Sequence, residues 1–361
     1  MHDDTKTFQE KMVDVLNYGS LNLAMGLGYR AGLFDVMDAL DRPSTLEEIC
    51  VKANLNRRYV REWLGVMVCG GIVDLIQNDE DPPRFLLPRI HGDVLARRAG
   101  SGNLGVYTQE IPLLTACAME QVYRGFLSGE GISYTHYPDF HDFMAQLGDA
   151  KHRQVLVDVF LPSVDEGRIV QALKRGIDVC DLGCAQGVAA ILMAKAFPAS
   201  RFTGIDIGIE ALETARADAR EQGLRNIFFE QRDAAELCHP NDLSGRFDYI
   251  TAFDAIHDQT RPLAALKGVV ELLKVDGIFS MVDIAAETDL EGNRNHAMGP
   301  FLYTVSLMHC MPVGLVDGGA GLGMMWGRQL AERMLGEAGF RDVAVTPIPD
   351  DPFNLHFLCR K

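Results

Sequence analysis

Two patterns of apolar and polar positions follow one another along the chain, and the first has the periodicity of a helix. Five positions among the first 40 residues fall on one helical face: Met12, Val15, Leu16, Gly19 and Leu23. The stretch "STLEEICVKANLN" predicts a short helix capped by Ser44 or Thr45, and a turn at Asn54–Asn56 leads into a second helix over Arg57–Val68. The segments "GIVDLI", "QNDEDPP" and "RFLLP" then predict two strands joined by a polar tip. Helix, turn, helix and hairpin in this order predict a winged helix.

The second pattern begins at residue 177, where short apolar runs alternate with amphipathic segments. Five runs predict strands: "IDVCDLG", "RFTGIDI", "NIFFEQRD", "FDYITAFDAI" and "GIFSMVDIA". The last two predicted strands, "DVAVTPI" and "NLHFLCR", are separated only by "PDDPF", which allows a hairpin but no crossover. The predicted fold class is therefore α/β, with a Rossmann-like seven-stranded sheet whose last strand is antiparallel. An N-terminal all-helical, winged-helix domain precedes it.

These patterns divide the chain into three predicted parts. Residues 1–95 hold the winged helix, residues 96–175 look mostly helical, and residues 176–361 hold the sheet. Within the sheet domain, residues 286–327 form a long Gly- and Met-rich insertion after the fifth strand. Insertions of this length tend to be lids or binding loops, so we expect this segment to be lid-like.

Composition and charge narrow the class of protein. The chain has 361 residues, 47% of them hydrophobic, and a formal net charge of -16, which repels nucleic acid and anionic membranes. No apolar run is long enough to cross a membrane, and the polar start shows no secretion signal. The eight cysteines never form a Cys-x-x-Cys pair, which argues against a metal cage or a disulfide framework. We therefore expect a cytoplasmic protein with reduced thiols and without a structural metal.

A glycine turn after the first strand of the sheet is the main candidate for ligand binding. The motif is "DLGCAQG", which begins at Asp181 and ends at Gly187. A nucleotide-hydrolase loop needs Lys and then Ser or Thr after its last glycine, but Val188 and Ala189 stand there. A carboxylate before the first glycine would also repel the pyrophosphate of a dinucleotide. It suits a ligand with an ammonium and a sulfonium group, which is S-adenosylmethionine.

Two further acids support this cofactor. Asp206 ends the second strand, where it can accept hydrogen bonds from both ribose hydroxyls. Asp233 ends the third strand, where it can accept from the adenine amino group while Ala234 lies beside the ring. Each acid has an alternative role as a helix cap, but three acids that end three successive strands favour the cofactor. The cofactor-binding candidates are Asp181, Gly183, Cys184, Gly187, Asp206, Ile207, Asp233, Ala234, Phe253 and Asp254.

From residue 177 onward, the chain resembles the class I S-adenosylmethionine-dependent methyltransferases. "DLGCAQG" resembles their Asp-x-Gly-x-Gly-x-Gly turn, with Ala185 in place of the middle glycine. With its winged helix, the whole chain resembles bacterial O-methyltransferase-like enzymes, including a poorly characterised mycobacterial group. In such enzymes the N-terminal domain dimerises and helps to cover the active site. The resemblance therefore implies a homodimer, a small-molecule substrate and a covering role for residues 96–175.

The catalytic candidates follow the fourth and fifth strands. In an open parallel sheet, ligands bind beyond the carboxyl ends of the strands where strand order reverses, which places Phe253, Asp254 and His257 near the transferred methyl. "AIHDQTRP" resembles the His-Asp stretch of plant-type O-methyltransferases, which implies that His257 is a general base, although it can instead cap or pack against the next helix. The same resemblance implies that Asp283 orients the base. A second orienting glutamate has no counterpart in "GGAGLGMMWG", so S-methylation of a small thiol stays an alternative to O-methylation.

Two questions stay open beyond the catalytic residues. His309 and Trp326 in the Gly-rich insertion, and Tyr134 in the helical segment, are candidate substrate contacts, although such residues are more often core. Arg57, Arg58 and Arg61 on the second short helix raise the third alternative, a cofactor-sensing DNA-binding regulator without turnover. Residues 1–90 hold 10 Lys and Arg against 14 Asp and Glu, and the predicted wing tip carries Asp79, Glu80 and Asp81. This balance favours dimerisation over DNA binding.

Overall fold

The computed structural model describes residues 7–77, 82–137, 143–144, 147, 152–153, 155–349 and 351–361. The chain divides into two compact units, Met1–Leu113 and Leu114–Lys361. The predicted three-part division, with boundaries near residues 95 and 175, stays a prediction. The predicted wing tip at Asp79–Asp81 lies outside the described residues.

The first unit consists of helices around a small antiparallel sheet. Its helices are α1 (Phe8–Arg30), α2 (Leu33–Leu40), α3 (Leu46–Ala53), α4 (Arg57–Cys69) and α5 (Arg89–Leu95). Its strands β1 (Ser44–Thr45), β2 (Asp74–Ile76) and β3 (Arg84–Leu86) lie in the order β1-β3-β2, with both pairs antiparallel. Turns of 3₁₀-helix follow at Arg97–Gly102 and Val106–Gln109. The predicted sequence of helix, turn, helix and hairpin is therefore present.

Local chemistry explains where the short helices begin and end. Of the two predicted caps, Thr45 is the one that acts: its hydroxyl accepts from the backbone N–H of Glu48, whose carboxylate accepts from the N–H of Thr45 at 2.8 Å. Asn54 ends α3 in the left-handed conformation, at φ 53°. The N-terminal helix α1 forms as predicted, but its predicted apolar face stays exposed; Leu16, for example, is 66% exposed.

The second unit is built on one large sheet. Its strands are β4 (Asp178–Leu182), β5 (Arg201–Asp206), β6 (Ile227–Gln231), β7 (Phe247–Phe253), β8 (Leu273–Ile284), β9 (Asp342–Ile348) and β10 (Asp351–Arg360). Its helices are α6 (Glu110–Ser128, which begins in the first unit), α7 (Leu161–Ser163), α8 (Arg168–Arg175), α9 (Val188–Ala196), α10 (Ile209–Glu221), α11 (Pro262–Leu272), α12 (Leu290–Asn293), α13 (Gly299–Val305), α14 (Met311–Gly314) and α15 (Arg328–Ala338). Among the described residues, a π-helical turn at Leu156–Phe160 precedes α7, and another at Ser306–Cys310 joins α13 to α14.

The order of strands in this sheet is β6-β5-β4-β7-β8-β10-β9. Strands β4 to β8 pair in parallel, whereas β10 runs antiparallel to both of its neighbours, β8 and β9. The predicted fold class, with seven strands and the last one antiparallel, is confirmed. Strand order reverses between β4 and β7, so the crevice that α/β sheets use for ligands opens beyond the carboxyl ends of these two strands.

Apolar side chains alternate between two cores, one on each face of the sheet. In β4, Cys180 packs into the core beneath α11 and α15, whereas Val179 packs into the core beneath α8, α9 and α10. In β7, Ile250 packs into the first of these cores and Tyr249 into the second. Burial of both faces explains why these strands read as continuous apolar runs. In the described part of the chain, no helix combines the length and apolar character needed to span a bilayer.

Candidate active site

The predicted glycine turn joins β4 to α9 and has a left-handed backbone. Gly183 and Gly187 have φ of 72° and 74°, and Ala185 between them has φ 45°. A Cβ on Gly187 would lie 2.7 Å from the Phe229 ring, so only glycine fits there. Ala185 occupies a conformation in which an L residue with a Cβ is strained. The turn therefore has the backbone shape that the glycines predicted, with strain at the one replaced glycine.

Asp181 lies in β4, just before this turn, and its side chain is not at the surface. It is only 3% exposed, and its carboxylate accepts a hydrogen bond from the Thr251 hydroxyl at 2.8 Å. Burial raises the pKa of Asp181 to about 7, with the Asp206 carboxylate contributing in the same direction. The carboxylate is thus linked to β7 and to the turn, and a nearby cation would favour its ionised form.

Asp206 and Asp233 follow or end their strands, and their carboxylates also accept hydrogen bonds from backbone N–H groups. The two oxygens of Asp206 accept from the N–H groups of Ala185 and Gly208, each at 2.8 Å. Asp233 accepts from the N–H of Ala235 at 2.8 Å and pairs with the Arg261 guanidinium at 2.7 Å. The capping alternative therefore holds for Asp233, while both acids lie at the carboxyl edge of the sheet, where the cofactor is predicted.

The remaining cofactor candidates lie around the same edge. Ile207 is 67% exposed, whereas Cys184 and Ala234 are buried. Phe253 packs its ring edge-on against Phe160, with centroids 5.8 Å apart. Asp254 has φ 49°, and its carboxylate accepts from the Asn354 side-chain amide of β10 at 2.7 Å. The roles of these residues in binding stay predictions.

His257 and Asp283 come together where β7 and β8 end. Asp283 Oδ1 lies 2.8 Å from His257 Nδ1, and the same oxygen accepts from the N–H of Ile284. Both side chains are buried, at 2% and 1% exposure. The carboxylate thus fixes the ring and leaves His257 Nε2 as the nitrogen that faces the site. This geometry is the one that a base with its orienting group needs.

Two carboxylates set the charge of His257. Burial acts to lower its pKa, but the carboxylates of Asp283 and Asp258 outweigh burial and hold the pKa well above 6.5. Asp258 Oδ1 lies 3.5 Å from His257 Nε2. The imidazolium form is therefore favoured at neutral pH, and the ring must lose a proton before it can act as a base.

A π-helical turn in the insertion brings His309 and Cys310 to the same region. The His309 ring packs edge-on against Tyr134 and Tyr137, with centroids 5.3 and 4.8 Å apart. The structure thus brings together two of the three predicted substrate contacts. The third, Trp326, lies in the core of the sheet domain at 4% exposure. The contact of each residue with substrate stays a prediction.

Asp258 and Cys310 extend the site beyond the residues that the sequence assigned. One donor atom each from His257, Asp258 and Cys310 lies within 4.8 Å of the other two. Asp258 is the neighbour of His257 in "AIHDQ", so the motif contained it, but nothing in the motif gave it a role. Cys310 has no signal in the spacing of the sequence, because the folded insertion alone brings it to His257.

Two protein families match the chain, one in each unit. Residues 19–97 match the "Rv2258c-like winged HTH domain", and residues 173–314 match the "Methyltransferase domain". The second match covers the glycine turn, the three acids, His257, Asp283 and Cys310. Residues 173–314 thus match a methyltransferase domain. The predicted resemblance to this family, with an N-terminal winged helix, is confirmed.

Relatives of the methyltransferase domain share its sequence over part of their length. An uncharacterized methyltransferase of Bacillus subtilis is 31% identical over 133 residues, which is 36% of this chain and 51% of that protein. A ubiquinone biosynthesis O-methyltransferase of Actinobacillus pleuropneumoniae is 34% identical over 110 residues, which is 29% of this chain and 44% of that protein. The match thus spans about half the length of these relatives.

Solved structures share the fold over the full chain. Human N-acetylserotonin methyltransferase in complex with SAM superposes with a TM-score of 0.69, covering 100% of this chain and 99% of that one, at 15% identity. At this identity the likeness shows the fold alone. The fold of this chain is therefore shared with that protein.

Proposed function

We propose that this protein transfers a methyl group from S-adenosylmethionine to a hydroxyl oxygen of a small molecule, with His257 as the base and Asp283 as its orienting group. The observation that carries the proposal is the buried His257–Asp283 pair, with Nδ1 and Oδ1 2.8 Å apart, beside the glycine turn of the methyltransferase domain. His257 follows β7, and Asp283 lies at the carboxyl end of β8, next to the point where strand order reverses.

The residues around the turn fit the methyl donor. When bound, S-adenosylmethionine supplies a methyl group on a sulfonium that needs no further activation. The left-handed glycines have no side chains, so a ligand can approach the backbone of the turn closely. The carboxylates of Asp181 and Asp206 favour a cationic ligand over a diphosphate. Asp206 would hold the ribose hydroxyls, and Asp233 and Ala234 would hold the adenine. The Asp233 carboxylate would accept from the adenine while it keeps Arg261 as a neighbour.

The chain itself contributes alignment and a proton acceptor. Neutral His257 takes the hydroxyl proton on Nε2 while its Nδ1–H stays hydrogen-bonded to Asp283. Bound S-adenosylmethionine would supply the methyl carbon to this oxygen, and its carbon–sulfur bond would break as the new carbon–oxygen bond forms. Asp283 stabilises the imidazolium that forms. Holding the oxygen in line with the methyl group supplies most of the remaining acceleration.

The test is to separate binding from turnover at His257. A screen of metabolite pools with methyl-labelled S-adenosylmethionine identifies the acceptor, and calorimetry measures the affinity for S-adenosylhomocysteine. We expect His257→Ala to keep this affinity and to lose about 10²- to 10⁴-fold in turnover, the usual contribution of a general base. His91→Ala, in the first unit, is the matched control and keeps full turnover. Normal turnover of His257→Ala would show that His257 is not the base.

One observation favours a second substrate class, a small thiol. The carboxylates of Asp258 and Asp283 keep His257 protonated at neutral pH, which weakens it as a base for a hydroxyl. A thiol, with an ordinary pKa of about 8.5, ionises more readily than a phenolic hydroxyl, whose ordinary pKa is about 10. Unchanged turnover of His257→Ala with simple thiols would select S-methylation over O-methylation.

The regulator alternative has weaker support. On α4, Arg57 pairs with Glu47 at 3.6 Å, and Arg58 pairs with Glu62, so acidic neighbours offset the charge of two of the three arginines. Binding of random duplex DNA that weakens steeply with salt would favour the regulator. The homodimer and the cytoplasmic location, both expected from the sequence, stay predictions.

A further inference from the structure

We propose that His257, Asp258 and Cys310 form a binding site for a divalent cation of the zinc class. Nothing in the proposed methyl transfer requires such an ion, and the inference does not depend on that function. In the described part of the chain, these three side chains are the cluster of His, Cys and acidic donors that comes within metal-binding distance. A nitrogen, an oxygen and a sulfur donor together suit Zn²⁺ among the divalent cations.

The separations of the donor atoms fit a tetrahedral ion. With bonds of about 2.0–2.3 Å, two ligands of tetrahedral zinc lie about 3.3–3.8 Å apart. His257 Nε2 and Asp258 Oδ1 are 3.5 Å apart, and all three donor atoms lie within 4.8 Å of one another. Side-chain rotations that move a donor by about 1 Å would therefore close the site. Three protein ligands leave the fourth position open, as in catalytic rather than structural zinc sites.

The surroundings of His257 are those of a metal ligand. Its Nδ1 is held by Asp283 at 2.8 Å, which fixes the ring and directs Nε2 toward Asp258 and Cys310. An imidazole held in this way by a carboxylate is the usual partner of a zinc ion. Asp258 Oδ1 is buried and has no hydrogen bond from any residue that the structure describes. This oxygen lies 3.5 Å from His257 Nε2, so an ion bound here would replace the imidazolium proton as its partner.

Cys310 reaches the site through a local irregularity of the helix. It is the last residue of the π-helical turn Ser306–Cys310, between α13 and α14. Such turns occur mostly as single insertions in α-helices and are frequent at functional sites. The turn ends with a buried thiol facing a histidine and a carboxylate. The sulfur also lies 3.5 Å from His309 Nδ1.

Binding of the ion requires loss of the Cys310 proton. The charged and titratable groups that face the site are Asp258, Asp283, His257, His309, Tyr134 and Tyr137. A divalent ion would neutralise the thiolate and the Asp258 carboxylate, and it would displace the protons of the thiol and of the imidazolium.

The ion and the substrate proton would compete for the lone pair of His257 Nε2. Zinc on His257 Nε2 would occupy the nitrogen that takes the substrate proton. A zinc-loaded protein would therefore lose the turnover that depends on His257, and a chelator would restore it. The open fourth position would accept an anionic oxygen or sulfur of a ligand instead.

Cobalt spectroscopy tests the site without any assay of activity. The metal-free protein is titrated with Co²⁺ at pH 8. We expect one equivalent to bind, with the visible bands of a tetrahedral ion and a thiolate-to-cobalt charge-transfer band that one equivalent of Zn²⁺ removes. Cys310→Ser should lose the charge-transfer band, whereas Cys359→Ser, which removes another buried thiol, should keep it. Asp283→Asn should weaken Co²⁺ binding by about 10- to 100-fold while keeping the band, because it only orients the ligand.

The outcomes distinguish this proposal from the proposed function. An octahedral spectrum, or a spectrum that Cys310→Ser leaves unchanged, would overturn the metal site. Calorimetry with S-adenosylhomocysteine shows separately that each variant is folded. Failure of the metal-free protein to methylate any acceptor would count against the methyltransferase function and would leave the cobalt result as it stands.

Discussion

At the scale of single residues, the charge on His257 governs how the site works. The ring lies between Asp283, which binds Nδ1, and Asp258, which lies 3.5 Å from Nε2. Orientation needs only the first of these carboxylates. The second stabilises the imidazolium and so delays the loss of the proton until higher pH. Asp258 therefore sets the pH at which the proposed base becomes available.

The pH profile of turnover should report this arrangement. Because the two carboxylates hold the pKa of His257 well above 6.5, kcat/KM for a hydroxyl substrate should rise with pH along a limb placed above that value. Asp258→Asn removes one negative charge and should move the limb to lower pH. The measurement is kcat/KM against pH for both proteins, with Asp276→Asn, an exposed acid of β8, as the matched control.

Two results would contradict this role. If the limb of Asp258→Asn coincides with that of the wild type, Asp258 does not control the charge of His257. If turnover is independent of pH through the neutral range in both proteins, no imidazole proton is involved. The second result would favour a thiol substrate.

The sequence predicted two residues of this site, His257 and Asp283, but assigned no role to Asp258 or Cys310. His257 and Asp283 follow strands, and residues that end neighbouring parallel strands lie at one edge of the sheet, so their approach was predictable. Asp258 was visible beside His257, but its orientation depends on the turn after β7. Cys310 comes from the insertion, whose path no period or motif in the sequence describes. Convergence of this kind depends on tertiary packing.

At the scale of elements, the glycine turn carries a strain that can be measured. Ala185 has φ 45°, and an L residue in the left-handed region costs about 1–2 kcal/mol. Its N–H is held by Asp206 at 2.8 Å, which keeps the residue in this conformation. The family's turn has glycine at this position, so the strain belongs to this chain's alanine.

Ala185→Gly should therefore stabilise the protein. Relief of about 1–2 kcal/mol is partly offset by about 0.4–1 kcal/mol from the greater freedom of glycine in the unfolded chain. The net gain of roughly 0.5–1 kcal/mol should raise Tm by about 2 °C for a domain of this size. Thermal denaturation measures it, and the affinity for S-adenosylhomocysteine should be unchanged or higher.

Gly187→Ala is the contrasting variant. Its φ is 74°, and the new Cβ would lie 2.7 Å from Phe229 and 2.9 Å from Ala215. We expect a loss of about 2–4 kcal/mol from conformation and overpacking together. If Ala185→Gly lowers Tm or Gly187→Ala leaves it unchanged, the backbone of the turn differs from the one described.

The elements themselves were predictable where a pattern covered them. The short link "PDDPF" fixed the antiparallel direction of β10, and alternation of strand and helix fixed the parallel part of the sheet. The position of β10 between β8 and β9 was not predictable, because apolar residues on β8 suit either neighbour. The sequence predicted that strand β8 begins at Gly277. In the structure it begins four residues earlier, at Leu273, directly after α11. Pairing of Leu273 with Phe247 extends the strand there.

At the scale of the whole molecule, one buried acid links stability to pH. Glu110, at the start of α6, is 5% exposed, and burial raises its pKa to about 8. The folded state therefore keeps a proton that the unfolded chain releases near pH 4.5. The stability that this proton supports is complete below that pH and is lost as the pH rises to about 8.

Glu110→Gln should remove this dependence. The amide resembles the protonated acid in shape and carries no charge, so the variant should gain stability over the wild type at pH 8 and match it near pH 5. Tm at the two pH values is the measurement, and Glu221→Gln, an exposed acid of α10, is the control. A constant difference between wild type and variant at both pH values would show that Glu110 is not protonated in the folded state.

The exposed apolar surface of α1 suits the predicted homodimer. Large apolar side chains of this helix are more than half exposed: Phe8, Val13, Val15, Leu16, Tyr18, Leu23 and Leu27. Full burial of one such side chain contributes about 1.5–3 kcal/mol, so a few of them against a second copy would sustain a dimer.

We expect sedimentation velocity to give a dimer for the wild type at micromolar concentration. The double variant Leu16→Glu/Leu23→Glu should shift the protein toward monomer, whereas Gln9→Glu and Asn22→Glu together, which place the same charges at polar positions of α1, should leave the dimer intact. Binding of S-adenosylhomocysteine by both variants would show that the methyltransferase domain remains folded, and a wild type that sediments as a monomer would assign this surface to another partner.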